Sequence, residues 1–327
     1  MAEGKIRWGI LATGAIAATF TEDLLTLDDA EVVAVGSRSP QAARAFADRY
    51  GIPRAHGSWA ELAADPDIDI VYVATPHSAH HAAAALCLDA GRAVLCEKPL
   101  TLDAGQAEDL FARAEAAGVF FMEAMWTRCV PAVLRMVELV RAGVIGEPRL
   151  VTADFSIGFD VGPEHRLRNP ALGGGALLDL GVYPLAISQL VFGEPSLVRA
   201  AATLTPEGVD DTTALALVHP GGGVSALTCS ISADGTWSAT VAGTKGRIEF
   251  GRNFTAPSGF TVLRHDDVVE RVEVPYLARG MVHEAIEAQH CLRRGLRQSP
   301  LAPWSETLAV MRTMDTARSQ VGVVYPA

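Results

Sequence analysis

The sequence has little positive charge relative to its negative charge. There are 27 Lys and Arg residues against 38 Asp and Glu residues, which gives a formal net charge of −11. This balance disfavours nonspecific binding to nucleic acid or to acidic membrane surfaces. The chain also lacks an uninterrupted apolar run of about 18 residues and a basic-then-apolar amino-terminal segment. We therefore expect neither nucleic acid nor a membrane among its partners.

Cysteine is scarce, and its spacing excludes a disulfide framework. The five cysteines contain no Cys-x-x-Cys pair, which indicates free thiols and a cytoplasmic location. No Gly-x-Ser-x-Gly elbow supports a hydrolase. Two groups of possible metal ligands lack metal spacing, so we predict no metal site; they are His77, His80, His81 and Glu97, and His283, Glu284, Glu287 and His290.

The length and the pattern of hydrophobic residues predict two domains of α/β class. With 327 residues and 49% hydrophobic content, the chain is too long for one core of ordinary size. In residues 1–125 short β-rich runs alternate with helical segments, which is typical of a doubly wound parallel sheet. The predicted strands there are 6–11, 31–37, 68–74, 93–96 and 119–122, and the predicted helices are 15–25, 41–50, a short one from 58, 78–90 and 104–117.

Residues 126–327 have a different rhythm and predict an α+β domain for substrate binding and oligomerisation. After a long helix at 176–192, strands follow one another without intervening helices, as in a large, mostly antiparallel sheet with one open face. Two helices, at 279–294 and 304–320, end the chain, and the last helices are free to pack back on the first domain.

The turn after the first strand resembles a dinucleotide-binding loop. The pattern Gly-x-Gly-x-x-Gly falls on Ala12, Thr13, Gly14, Ala15, Ile16 and Ala17, and only the central glycine is retained. That glycine allows the backbone to approach a pyrophosphate in front of the following helix. Taken alone, the loop is equally consistent with an ordinary strand–helix turn.

The end of the second strand predicts the form of the nucleotide. Ser37 and Arg38 stand about 20 residues after the loop, where a residue that reads the ribose 2′ position belongs. A hydroxyl and a guanidinium suit the additional phosphate of NADP, whereas an acidic residue would favour NAD. The simpler alternative is an exposed arginine without a partner.

Two further motifs follow buried strands, at the edge where open parallel sheets bind ligands. The first motif, residues 74–80, contains Thr75, Pro76 and His80, and the second, residues 96–99, contains Glu97, Lys98 and Pro99. Beside a nicotinamide ring, partial burial and the positive ring would both lower the pKa of Lys98 and allow proton exchange near neutral pH. A solvated lysine at a strand end is the alternative.

The second domain offers a carboxylate and a phenol. Asp179 and Tyr183 follow a run of three glycines and are four residues apart, so they share one helix face. Such a pair can bind a substrate hydroxyl and move its proton. A helix cap and a core tyrosine are the alternative.

Together these motifs resemble the glucose–fructose oxidoreductase, inositol dehydrogenase and rhizopine-catabolism (Gfo/Idh/MocA) family. The segments 122–128 and 169–175 are most similar to its branch of dimeric dihydrodiol dehydrogenases and NADP-dependent D-xylose dehydrogenases. The resemblance implies a Rossmann domain, an NADP cofactor (with NAD as an alternative) and a small sugar, polyol or cyclic diol as substrate. It also implies homodimers, or tetramers, formed through the open face of the second domain's sheet.

The resemblance assigns roles to individual residues. It implies that Lys98 is catalytic, that Tyr183 is the general acid or base and that Asp179 binds or orients the substrate. It further implies that Lys98–Pro99 is a cis peptide and that His80 lies near the nicotinamide ribose. Trp126 and Phe155 are expected to wall the substrate pocket, whereas Arg166 and Arg168 receive no role. A ketoreductase of nucleotide-linked keto-sugars and a noncatalytic NADP-binding regulator remain as alternative functions.

Overall fold

The structure is a computed structural model that describes residues 4–326, so the first three residues of the amino-terminal segment discussed above lie outside it. The described chain forms two compact units. The first comprises the chain up to Thr101, Gly105–Trp126 and Leu277–Trp304, and the second comprises Leu102–Ala104, Thr127–Tyr276 and the chain from Ser305 onward.

The first unit contains a six-stranded parallel sheet with the strand order β3-β2-β1-β4-β5-β6. Its strands are β1 (Ile6–Leu11), β2 (Ala30–Gly36), β3 (Arg54–His56), β4 (Ile70–Val73), β5 (Ala93–Glu97) and β6 (Phe121–Ala124). Its helices are α1 (Ala15–Leu24), α2 (Pro40–Tyr50), α3 (Trp59–Ala64), α4 (His80–Asp89), α5 (Ala104–Ala117) and α8 (Val282–Arg293).

Local sequence signals explain where these elements begin and end. The hydroxyl of Ser39 accepts a hydrogen bond from the amide of Ala42 at the start of α2, and Pro40 occupies the first turn. Gly51 ends the helix with φ of +68°, a conformation that glycine adopts at little cost. All four residues of β4 are buried, as expected of a central strand covered on both faces.

The second unit contains an eight-stranded sheet with the order β14-β13-β12-β11-β7-β10-β9-β8. The pairing of β10 with β7 is parallel and the other pairings are antiparallel. Its strands are β7 (Pro148–Ser156), β8 (Leu197–Leu204), β9 (Asp210–Val218), β10 (Val224–Ser230), β11 (Ser238–Gly243), β12 (Arg247–Phe250), β13 (Gly259–Arg264) and β14 (Asp267–Glu273). Its helical elements are α6 (Pro131–Arg141), a π-helical turn (Leu177–Gly181), α7 (Val182–Phe192) and α9 (Trp304–Val321).

The predicted fold class is confirmed, with local differences. Strand β3 is only three residues long, and helix α6 begins with Pro131 in its first turn. Neither was predicted: three residues carry no period, whereas α6 does have its buried apolar residues at helical spacing, which marks it as an amphipathic helix. Strand β6 begins two residues later than predicted. The predicted helix at 176–192 opens with a π-helical turn, which hydrophobic periodicity does not distinguish from an α-helical one.

Candidate active site

The predicted phosphate loop connects β1 to α1. Gly14 precedes the first residue of α1, and a Cβ placed on it would meet no atom within 4 Å. No side chain caps this helix, so the first amides of α1 keep their capacity to donate to an anion. Open space in front of uncapped amides fits the pyrophosphate of a dinucleotide.

The ends of β1 and β2 lie side by side. The amide of Ala12 donates to the carbonyl of Gly36 at 2.9 Å, which places Ser37 and Arg38 directly beside the loop. The hydroxyl of Ser37 accepts from the amide of Ser39. Pairing between strands that are distant in sequence thus joins the predicted pyrophosphate loop to the predicted 2′-phosphate readers.

His80 connects the two strand-end motifs. Its Nδ1 lies 2.9 Å from the carbonyl oxygen of Pro99, and its Nε2 lies 2.9 Å from the carbonyl oxygen of Thr75. The ring is fully buried. Burial, together with nearby His77 and Lys98, outweighs the two carbonyls and lowers the pKa of His80 to about 3. A neutral imidazole has a single N–H, so His80 donates to one of these two carbonyls, and its buried ring lies between the two backbone segments.

Thr75 offers a polar group without a partner. Its hydroxyl is buried and has no hydrogen-bond partner among residues 4–326. A buried hydroxyl in this state is costly unless a ligand or water completes its bonding. Since Thr75 follows the central strand β4, this orphaned group fits a nucleotide bound at the sheet edge.

Glu97 is the last residue of β5, and Lys98 follows it. The Glu97 carboxylate accepts from the Tyr72 hydroxyl at 2.5 Å and from the Lys98 amide at 3.2 Å. Burial, followed by the charge of Glu97, raises the pKa of Tyr72 well above its usual value, so the phenol stays protonated and donates. Glu97 thereby anchors the backbone that carries Lys98, and the Lys98–Pro99 peptide is cis.

In the second unit the predicted residues Asp179, Tyr183 and Phe155 come together. Asp179 lies in the π-helical turn and Tyr183 in the first turn of α7, and both are buried. The ring of Phe155 meets that of Tyr183 edge to face, with centroids 5.3 Å apart. The turn therefore delivers a carboxylate and a phenol beside an aromatic wall, and π-helical turns of this kind are frequent at functional sites.

The structure also adds residues that the sequence left unassigned. A guanidinium nitrogen of Arg166 donates to a carboxylate oxygen of Asp179 at 3.1 Å. Trp237 and Phe254 extend the aromatic wall, each edge to face with Phe155. These residues lie in irregular segments whose sequence carries no periodic signal. Arg168 instead pairs with Glu207 at 2.9 Å.

Trp126 is the last residue of the segment Gly105–Trp126 of the first unit. It opens a short 3₁₀ helix, Trp126–Cys129, and is half-buried. Its contribution to a substrate pocket, like the meeting of Lys98 with Tyr183, stays a prediction.

The described residues contain neither a cluster of metal ligands nor an exposed apolar helix long enough to span a membrane. No three His, Cys, Asp or Glu side chains group as metal ligands between residues 4 and 326. The segment Pro170–Phe192 has the length and composition of a membrane span, yet 83% of its most apolar window is buried inside the protein. Burial of that extent is the behaviour of a core helix.

Two family models match the two parts of the chain. Residues 6–125 match the model described as "Oxidoreductase family, NAD-binding Rossmann fold". Residues 133–249 match the "GFO/IDH/MocA C-terminal domain".

Curated relatives match nearly the full length. The chain is 38% identical to a trans-1,2-dihydrobenzene-1,2-diol dehydrogenase of Mus musculus, with 98% of each chain covered. It is 36% identical to the enzyme of that name from Homo sapiens, again with 98% of each covered.

Solved structures agree with this grouping. A 3-ketoreductase from Actinomadura kijaniata in complex with NADP and TDP-benzene superposes with a TM-score of 0.86 at 29% identity, covering 99% of this chain and 100% of that one. An aldose–aldose oxidoreductase from Caulobacter crescentus has the same fold, with a TM-score of 0.88 at 24% identity and 97% and 98% of the two chains covered.

These findings confirm the predicted enzyme class, and with it the expectation of a nicotinamide cofactor, over a noncatalytic regulator. The chain belongs to the Gfo/Idh/MocA family of NAD(P)-dependent oxidoreductases.

Proposed function

We propose that the enzyme transfers hydride between NADP and a carbinol or carbonyl carbon of a small sugar, polyol or cyclic diol. The observation that carries this proposal is a second-unit cluster, Asp179, Tyr183 and Phe155, in a chain whose full-length relatives are named diol dehydrogenases. Buried polar groups against aromatic rings suit a small hydroxylated ring, with the aromatic rings contacting its apolar face.

The proposed cofactor residues are those of the first sheet's carboxyl edge. The amides of the loop 12–16 would face the pyrophosphate, and Ser37 and Arg38 would face the 2′-phosphate. Thr75, Pro76, His80, Glu97 and Lys98 would shape the site around the nicotinamide ribose, with His80 and Glu97 acting through the backbone that they hold. When bound, NADP accepts or supplies the hydride.

The proposed chemistry assigns the substrate's hydroxyl proton to protein side chains. Alcohol oxidation removes a proton from oxygen as hydride leaves carbon, and carbonyl reduction returns it. The phenol of Tyr183 would hold that proton, and the ammonium of Lys98 would stabilise negative charge developing on the oxygen. The Asp179 carboxylate, oriented by Arg166, would accept a hydrogen bond from a second substrate hydroxyl.

Substitution of Lys98 tests this assignment. We expect Lys98→Ala to lower kcat by roughly 10²–10⁴-fold, because the negative charge that develops on the substrate oxygen loses its partner. The Kd for NADPH should change by less than about 3-fold, because the other cofactor contacts remain in place. Lys245→Ala, which removes an exposed lysine in the turn between β11 and β12, is the matched control. Near-normal turnover of Lys98→Ala would remove this residue from the mechanism.

The substrate class needs a panel of compounds. Cyclic trans-diols, free pentoses and a nucleoside-diphosphate keto-sugar should be compared by kcat/KM with both NADP(H) and NAD(H). We expect the highest value for a diol or a sugar. The ketoreductase is the second candidate, on the strength of the solved 3-ketoreductase at 29% identity, and a preference for the nucleotide-linked substrate would select it.

We also propose that two copies associate through the open face of the second sheet. A row of exposed apolar residues crosses four adjacent strands, with Leu150 paired to Val224, Val224 to Val218 and Val218 to Leu197. Contiguous exposed apolar surface of this kind is typical of a protein–protein interface. A tetramer would require a second contact surface.

A cytoplasmic location is proposed as well. All five cysteines are free and buried in the structure, and free thiols persist where the environment is reducing. Fractionation of cells that express the tagged protein would test this proposal.

A further inference from the structure

Arg38 and Trp59 form a stacked pair in the first unit. Arg38 follows β2, and Trp59 is the first residue of α3. The central carbon of the Arg38 guanidinium lies over the indole ring, 5.4 Å from its centroid. This separation is within the range of a cation–π contact.

The first turn of α3 holds the indole in place. The hydroxyl of Ser58 accepts from the amide of Glu61 at 3.1 Å, and the carboxylate of Glu61 accepts from the amide of Gly57 at 2.8 Å. These bonds satisfy amides at the helix start. The ring therefore sits on a rigid turn, and Glu61, the nearest acid in sequence, is already engaged with the backbone.

Arg38 keeps its hydrogen-bond donors available. No carboxylate among residues 4–326 pairs with it, whereas Arg54 on the adjacent strand β3 binds Asp65 at 2.7 Å. The contact with the Trp59 ring uses none of the oxygen acceptors that guanidinium N–H groups prefer. The N–H groups therefore stay available for an oxyanion, which guanidinium groups bind through two parallel hydrogen bonds.

We propose that Trp59 is a positioning residue that raises the preference of the enzyme for NADP over NAD by holding Arg38 ready for the 2′-phosphate. The proposal rests on the assignment of Arg38 to that phosphate in the proposed function. An arginine side chain in solution samples many rotamers, and ordering it weakens binding. The contact with Trp59 restricts the Arg38 side chain before the cofactor binds, so less conformational entropy is lost on binding. Only ligands that carry the 2′-phosphate gain affinity in this way.

The test compares ligands that differ by this phosphate. Dissociation constants of NADPH and NADH are measured by fluorescence, and those of 2′,5′-ADP and 5′-AMP by calorimetry, for the wild type and for Trp59→Ala, Trp59→Phe and Arg38→Ala. We expect Trp59→Ala to weaken the binding of NADPH and 2′,5′-ADP by about 3- to 10-fold and to leave the binding of NADH and 5′-AMP unchanged. Trp59→Phe, which keeps an aromatic face, should restore most of the affinity. Arg44→Ala removes an exposed arginine of α2 and is the matched control, with no change expected.

A double-substitution cycle separates the two proposals. If Arg38 reads the phosphate and Trp59 acts through it, Trp59→Ala has no further effect on NADPH affinity in the Arg38→Ala background. If Arg38→Ala left the ratio of NADPH affinity to NADH affinity unchanged, the assignment of Arg38 in the proposed function would be overturned.

If the ratio of NADPH affinity to NADH affinity were as in the wild type for Trp59→Ala but lower for Arg38→Ala, only the role of Trp59 would be overturned. Equal weakening of all four ligands in Trp59→Ala would also overturn it, since that outcome indicates a general structural role. Thermal unfolding of each variant accompanies the titrations; if Trp59→Ala unfolds, Trp59→Leu, which removes the π face but keeps bulk, replaces it with the same expected outcome.

Discussion

Ala12 adopts a conformation that favours glycine. Its φ is +98°, in the region where a Cβ is crowded by the backbone. This is the position at which the dinucleotide pattern normally has its first glycine, and the main chain follows the glycine path although the side chain is alanine. The turn is held by the hydrogen bond from the Ala12 amide to Gly36, and the local strain is offset by the rest of the fold.

Relief of this strain should stabilise the protein. We expect Ala12→Gly to raise the free energy of unfolding by about 1 kcal/mol. Glycine removes the cost of holding a Cβ in the left-handed region, and its greater loss of backbone entropy on folding offsets only part of that gain. Urea denaturation measures the change. Ala45→Gly, at an exposed position in the middle of α2, is the control and should lose about 0.5–1 kcal/mol. Equal destabilisation by both substitutions would contradict the proposed strain at Ala12.

The buried His80 ring should make stability depend on pH. Its folded pKa of about 3 lies below the ordinary value of 6.5, so the unfolded chain binds a proton that the folded chain does not. The stabilising contribution is therefore complete above about pH 6.5 and is lost as the pH falls toward 3, by about 1.4 kcal/mol per pH unit.

His80→Gln tests this dependence. At pH 7 the variant should be less stable than wild type by about 1–3 kcal/mol, since a hydrogen bond between strand ends is weakened. Between pH 7 and pH 5 this difference should shrink by roughly 2 kcal/mol, because glutamine does not titrate. His290→Gln, at an exposed position of α8, should show no such trend. A difference that grows in acid would mean that the ring is charged and donates to both carbonyls.

Beyond single residues, the glycine-rich turn before α7 is held by one buried carboxylate and one tyrosine. An oxygen of Asp210, at the start of β9, accepts from the Leu177 amide and from the Thr213 hydroxyl, both at 2.7 Å. Gly175 has φ of +115°, and a Cβ there would lie 2.3 Å from the other oxygen of Asp210. The hydroxyl of Tyr325 donates to the carbonyl of Gly174 at 2.7 Å. Contacts from β9 and from the end of the chain therefore set the path of the turn that carries Asp179.

Loss of these anchors should reduce turnover as well as stability. We expect Asp210→Ala to lower the free energy of unfolding by about 2–4 kcal/mol, because buried amide and hydroxyl donors lose their acceptor. Tyr325→Phe should cost about 1 kcal/mol. Both should lower kcat more than they change NADPH affinity, because the cofactor motifs lie on other strands. Tyr276→Phe is the control, since the Tyr276 hydroxyl makes no hydrogen bond within residues 4–326. If Asp210→Ala left kcat unchanged, Asp210 would stabilise the turn without positioning the catalytic residues.

The second sheet as a unit presents one buried and one exposed face. In β9 and β10 buried and exposed residues alternate, and helix α7 packs against β7, β10 and β11. A sheet whose open face carries apolar residues favours association with another such face.

A charge placed in the apolar row should therefore oppose assembly. We expect Val218→Lys to convert the proposed dimer to a monomer, because the new charge would be buried in an apolar interface without a partner. Light scattering after size-exclusion chromatography measures the mass. Val269→Lys, on the edge strand β14 at 55% exposure, should leave it unchanged. A wild-type protein that is monomeric at all concentrations would refute the dimer.

Much of this protein follows from sequence alone because the signals are local. The alternation of strands and helices, the loop around Gly14 and the lysine of the Glu97–Lys98–Pro99 motif depend on periodicity and on residue type within a few positions. Short elements such as β3 were missed because three residues carry no period.

Other features required the tertiary structure because they join residues far apart in the chain. The ring of His80 lies between two strand ends, and the guanidinium of Arg38, after β2, lies over the ring of Trp59 at the start of α3. Arg166 reaches Asp179 from an irregular segment, and β10 pairs in parallel with β7 rather than with both neighbours in antiparallel fashion. Local sequence determined which elements form and which motifs they end in, whereas long-range packing decided which side chains meet, since such contacts depend on where whole elements are placed and leave no local pattern.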